Sequence, residues 1–139
     1  MPSKLASLAV LAFLVPATLP AARAEMPVAL QEIMAMDAAL DACRSLYPEP
    51  TPGLAVDRAN CFTKAESITQ NLWVNTADIF AWRANERLKA SQALDVGLIN
   101  VDQFNKLIAM QQNQADFYMK QRDLQLKALH SRTKRSKNS

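Results

Sequence analysis

Glycine is almost missing from this chain. Only Gly53 and Gly97 occur in 139 residues. Sheets with tight turns normally draw on more glycine than that, and a phosphate-cradling glycine loop cannot be assembled from two isolated residues. Histidine is rarer still: His130 stands alone. A two-histidine metal site and a Ser-His-Asp arrangement within one chain are thereby excluded. There are two cysteines, Cys43 and Cys61, with neither a Cys-x-x-Cys spacing nor a histidine beside them, so a metal or reactive-thiol reading is weak. Beyond the first residues, no apolar run is long enough to span a bilayer.

What is present begins with MPSKLASLAVLAFLVPATLPAARAEM. Lys4 gives a positive start, Leu5 to Val15 an apolar run, and Pro16 and Pro20 break it. Ala22-Arg23-Ala24 offers small residues where a signal peptidase needs them. A run of about 11 residues cannot cross about 30 Å of hydrocarbon, so residues 1–24 are expected to be a cleaved signal peptide and not an anchor. The cleavage junction is Ala24 and Glu25, and the expected location is the periplasm. Removing Lys4 and Arg23 from 16 Lys+Arg leaves 14 bases against 13 acids.

Those charges are unevenly spread. Lys120, Arg122, Lys127, Arg132, Lys134, Arg135 and Lys137 gather at one end, with Asp123 the one acid among them. The preceding body is acidic. Without apolar residues to bury, residues 131–139 are expected to form a disordered basic tail. Arg132, Lys134, Arg135 and Lys137 would give weak, salt-sensitive contact with an anionic membrane or lipopolysaccharide. Nucleic acid is not an expected partner in that compartment.

Ala, Leu, Gln, Met and Lys dominate the remainder, and all favour helix. The fold class expected is all-α: an antiparallel helical hairpin or three-helix bundle over residues 25–130, with one disulfide between the first two helices. A first helix over about Val28 to Leu46 carries Ile33, Met36, Leu40, Cys43 and Tyr47 on one stripe. Pro48, Pro50, Pro52 and Gly53 end it. A second begins near Leu54, with Cys61, Ala65, Ile68, Leu72 and Ile79 as its stripe and Phe62, Trp73, Phe80 and Trp82 as bulk. Asn75-Thr76-Ala77-Asp78 could kink or restart it, and the periodicity leaves one helix or two open.

The next boundary is written locally. In Asp95-Val96-Gly97-Leu98-Ile99-Asn100, Gly97 suits a left-handed helix end. Asn100 and Gln103 form a capping box, with Ile99 and Phe104 as its hydrophobic staple. A third helix follows through Phe104, Leu107, Ile108, Ala115, Tyr118 and Leu126 or Leu129, fading toward His130.

Cys43 and Cys61 therefore fall on the inward stripes of helices that the proline turn makes antiparallel. In an oxidising compartment such a pair is expected to form a disulfide. Other chemistry is scarce. Asp37 and Asp41 read as a solvated face, and Asn85, Arg87 and Arg83 as an exposed one. Met34 and Met36 diverge by about 200° on a helix, which points to packing and not to soft-metal ligation. No enzyme and no cofactor are expected.

The stretch Ile99-Asn100-Val101-Asp102-Gln103 is similar to the Leu-Thr-x-x-Gln motif of periplasmic stress chaperones of the Spy and CpxP type, with Asn for Thr and one copy where that family usually has two. The chain as a whole resembles the small exported helical proteins of proteobacteria. The expectation is a non-enzymatic periplasmic helical protein that binds a protein partner through an apolar helix face. The resemblance implies an alternative, an envelope-stress chaperone or metal sensor. An inhibitor of a periplasmic hydrolase is a third reading.

Overall fold

The computed structural model describes residues 26–137. The expected signal segment and its junction at Ala24 and Glu25 lie outside the described residues, as do residues 138–139. The described residues form four α-helices: α1 (Val28–Leu46), α2 (Ala55–Glu66), α3 (Ala77–Asp95) and α4 (Val101–Lys137), with a 3₁₀ segment, Ser67–Thr76, between α2 and α3. The chain is all-α, and a disulfide between Cys43 and Cys61, with Cα atoms 5.8 Å apart, joins α1 to α2.

Successive helices run antiparallel. α1 stops where the proline loop begins, and Gly53, at φ 85°, turns the chain into α2. Leu54 at the cap position has no side-chain acceptor for the first amides of α2. Asp95, from the far end of α3, supplies it. Its Oδ1 accepts from the backbone N–H groups of Gly53 (2.7 Å) and Ala55 (2.9 Å), and its Oδ2 from that of Val56 (2.9 Å). A carboxylate at the C-terminus of its own helix opposes that helix's dipole, but here it sits on the positive end of α2. We expect Asp95→Ala to cost about 2 kcal/mol in urea unfolding, with Asp95→Asn losing less because one carbonyl oxygen still accepts. A loss below about 0.5 kcal/mol for the alanine variant would rule out this cap as a significant tie.

The α3–α4 hairpin follows its local code. Gly97 takes φ 77°, and the N–H of Leu98 donates to the carbonyl of Ala93 at 2.9 Å. Asn100 Oδ1 accepts from the Gln103 amide while Gln103 Oε1 accepts from the Asn100 amide, each at 2.9 Å. Ile99 packs onto the cluster formed by Ala55, Ala90, Leu94 and Phe104. That core is small and rich in alanine; Ala59, Ala65 and Ala115 are also buried. Small side chains let helix backbones approach closely, so the buried volume is thin even where packing is tight.

One open choice is decided and two expectations change. The chain after Leu54 forms two helices folded against each other, the second restarting at Ala77 within residues 75–78, and the 3₁₀ segment before it leaves helical geometry at Trp73 (φ −119°, ψ 38°). At three residues per turn, positions four apart no longer share a face. Ile68 and Trp73 therefore emerge to solvent, and Thr69 takes the inward position instead, its hydroxyl donating to Met36 Sδ at 3.2 Å. Second, Leu107, Tyr118 and Leu129 are exposed, because α4 rests on α3 along only part of its length. Third, the basic segment expected to be disordered is helical to Lys137. Lys, Arg, Leu and Ala are good helix formers, and bases suit a helix C-terminus. At 37 residues α4 is about 55 Å long.

Candidate binding site

The order in which the helices meet creates the site. α1 packs on α2 and the 3₁₀ segment, α2 on α3, and α3 on α4. Among the described residues α1 makes no close backbone approach to α3, so the two stand as walls over a floor made by α2 and the 3₁₀ segment. Between them lies a groove of about 420 Å³. Met36 and Leu40 line one wall. On the other, Ala77, Ala81 and Ala84 leave room that larger side chains would fill, with Phe80 among them. Trp73 stands at the kink in the floor with 47% of its surface exposed.

One edge of the groove is charged. Glu66, at the end of α2, is gripped by two guanidinium groups from α3. Arg87 Nη2 lies 2.6 Å from Oε2 and Nη1 3.2 Å from Oε1, while Arg83 Nη2 lies 2.8 Å from Oε1. Arg87 also donates to Thr63 Oγ1 at 3.1 Å, and Arg83 to Gln112 Oε1 at 3.0 Å. The two arginine side chains are 17% and 14% exposed, and that of Glu66 22%. Burial alone would raise the Glu66 pKa. The hydrogen bond and charge of Arg87, followed by those of Arg83, outweigh it and hold the carboxyl below its ordinary value.

A second, smaller cavity of about 140 Å³ lies between α2, α3 and α4 and is lined by Arg58, Arg87, Phe62, Phe104 and Ile108. Arg58 Nε donates to the Tyr47 carbonyl at 3.0 Å, and its guanidinium lies 4.8 Å from the centre of the Phe62 ring. Burial, and then the charge of Arg87, lower the Arg58 pKa, with the charge of Glu49 acting the other way. A further ion pair ties α4 to the start of α3: Arg122 donates to Asp78 at 2.8 and 3.2 Å and to the Asn75 carbonyl at 2.6 Å. The hydrogen bond from Arg122 holds Asp78 below its ordinary pKa.

The residues expected to matter are distributed as follows. Cys43 is buried and bonded to Cys61. Arg132, Lys134, Arg135 and Lys137 occupy the exposed last turns of α4, well past the Arg122 tie and apart from the groove. Asp37 and Asp41 are exposed, Asp41 pairing with Arg44 at 2.6 Å. Met36 packs into the groove wall, but Met34 is 53% exposed. Asn85 is exposed as expected, whereas Arg83 and Arg87 are not. The signal for those two lay in their phase: residues 80, 83, 87, 91 and 94 advance by three or four, placing both arginines on the inward stripe with Phe80, Ser91 and Leu94. No protein-family model, curated protein or solved structure matches this chain.

Proposed function

We propose that this chain is a non-enzymatic exported binding protein, acting in the periplasm, that docks an apolar segment of a partner protein into the groove between α1 and α3. The observation that carries this reading is the groove itself: an apolar concavity of about 420 Å³ that exists because two helix walls do not meet, with a half-exposed tryptophan at its kink. Aromatic anchors in such concavities account for much of the affinity of protein interfaces. A groove floored and walled by helices suits an amphipathic helix or an extended apolar segment. The paired Arg83 and Glu66 at its edge would fix the orientation of polar groups on the incoming chain.

The stress-chaperone reading is favoured by the extent of exposed apolar surface beyond the groove, including Val28, Leu46, Val74 and Leu98. One experiment addresses both. A photo-crosslinking residue at Gln70, on the groove floor, should trap one discrete adduct in the exporting cell, and a probe at exposed Gln92 should not. Ala81→Trp, which fills the groove, should abolish that adduct while leaving the melting temperature nearly unchanged. A ladder of many adducts would favour the chaperone. Equal yields at positions 70 and 92 would exclude the groove as the docking surface.

A further inference from the structure

The small cavity between α2, α3 and α4 has a charge imbalance that the fold does not resolve. Two guanidinium groups, Arg58 and Arg87, line it, and no carboxylate among the described residues does. Arg87 is answered by Glu66, which lies outside the cavity and is shared with Arg83 of the groove edge, whereas no described carboxylate is bonded to Arg58. The Arg58 charge is left without a bonded counter-ion in surroundings where water is partly excluded and charge is costly. Arg58 is oriented by its Nε donation to Tyr47 and by the Phe62 ring. Its two Nη groups have no hydrogen-bond acceptor among the described residues, and the buried Nε of Arg87 has none either.

Apart from Ser91, whose hydroxyl donates to the Arg87 carbonyl, the rest of the lining is apolar. Phe62, Phe104 and Ile108 face the same space, whose volume is about 140 Å³. A cavity of about 150 Å³ accepts one benzene ring. We propose that this cavity binds a small organic monocarboxylate, its carboxylate held by Arg58 and Arg87 and its compact apolar body packed against Phe62, Phe104 and Ile108. A single negative charge matches the one lining guanidinium that has no bonded carboxylate, and a planar carboxylate suits the guanidinium fork. Inorganic phosphate would bring the second negative charge without any apolar body, leaving the ring-lined part of the cavity unfilled. This site is separate from the groove between α1 and α3, and it stands whether or not that groove docks a protein.

The test uses the exported protein with benzoate, benzyl alcohol and inorganic phosphate as probes, read by thermal shift and by amide chemical-shift mapping. Benzoate should give saturable stabilisation and move the amides around residues 58, 62, 87 and 104. Benzyl alcohol, of similar shape and without charge, should bind at least about 10-fold more weakly, since charge-assisted hydrogen bonds are lost. Arg58→Gln should weaken benzoate by a similar factor, and Arg58→Lys by less. Should Arg58→Gln fail to fold, Ile108→Trp, which fills the cavity, must abolish the benzoate response, and Ala81→Trp in the other groove must leave it intact. Equal binding of benzoate and benzyl alcohol, stronger binding of phosphate, or a benzoate response indifferent to Arg58→Gln and Ile108→Trp would each overturn the proposal.

Discussion

Glu66→Gln should lower the stability of this protein by about 3 kcal/mol at neutral pH, and the loss should shrink as the solution is acidified. The size follows from what would be left behind. Arg83 and Arg87 have side chains only 17% and 14% exposed, and both rely on Glu66 for a counter-charge. An amide still accepts one hydrogen bond but neutralises neither cation, so two half-buried guanidinium groups lose their partner. In a domain this small such a loss lowers the melting temperature by roughly 10 °C. The pH dependence has a definite sign. The folded-state pKa of Glu66 lies below its ordinary value of 4.5. Its stabilising contribution is therefore fully present above about pH 4.5 and is lost as pH falls through the lower folded-state value. Glutamine does not titrate, so wild type and variant should converge in acid. Urea unfolding at pH 7 and pH 3 measures both stabilities. A difference that stays constant between them would mean that Glu66 contributes by packing and not by charge. A triple variant, Glu66→Leu with Arg83→Met and Arg87→Met, should recover much of the loss, since apolar replacement of a buried ion cluster is often neutral or stabilising.

The features that were legible in advance are those encoded within a few residues of one another. α1 was readable because an apolar stripe is bounded by prolines that forbid helix, and its ends, Val28 and Leu46, lie where that pattern places them. The α3–α4 hairpin was readable because Gly97, Asn100 and Gln103 act on adjacent backbone groups. The cap of α2 was not, because its acceptor is Asp95, about 40 positions away, and only the antiparallel packing of α2 and α3 brings it there. The fold-back after Glu66 was half legible: residues 75–78 offered a restart, which α3 takes at Ala77, but the 3₁₀ geometry before it was not readable. Its 3₁₀ segment has no glycine or proline to announce it, so a continued 3.6-residue period mispositions Ile68 and Trp73. That error also hid the groove, whose floor is this segment. The arginine cluster was half legible: phase with Phe80 and Leu94 marks Arg83 and Arg87 as inward, but nothing local pairs them with Glu66.

Reducing the Cys43–Cys61 disulfide should destabilise the protein by about 3 kcal/mol, and the damage should fall mainly on α1. The magnitude comes from the chain-entropy model for a cross-link between residues 18 apart. The location comes from packing. Among the residues of α1 only Cys43 is fully buried, while Val28, Leu30, Met34 and Leu46 are exposed by 69, 45, 53 and 71%. Among the described elements its neighbours are α2 and the 3₁₀ segment alone. A helix with so little apolar contact depends on its covalent tie, whereas α2, α3 and α4 keep the Asp95 cap, the Glu66 cluster and the Leu94–Phe104 core without it. Hydrogen exchange of the reduced protein should accordingly show α1 amides losing most of their protection while those of α3 keep theirs. A Cys43→Ala, Cys61→Ala double variant should behave alike, which separates the lost bond from any effect of the reductant. Because α1 forms one wall of the groove, the same variant should lose the discrete crosslink at Gln70 without unfolding the rest. If the α1 amides of the reduced protein stay as protected as those of α3, the helix is held by packing alone, and the disulfide is not what keeps the groove walled.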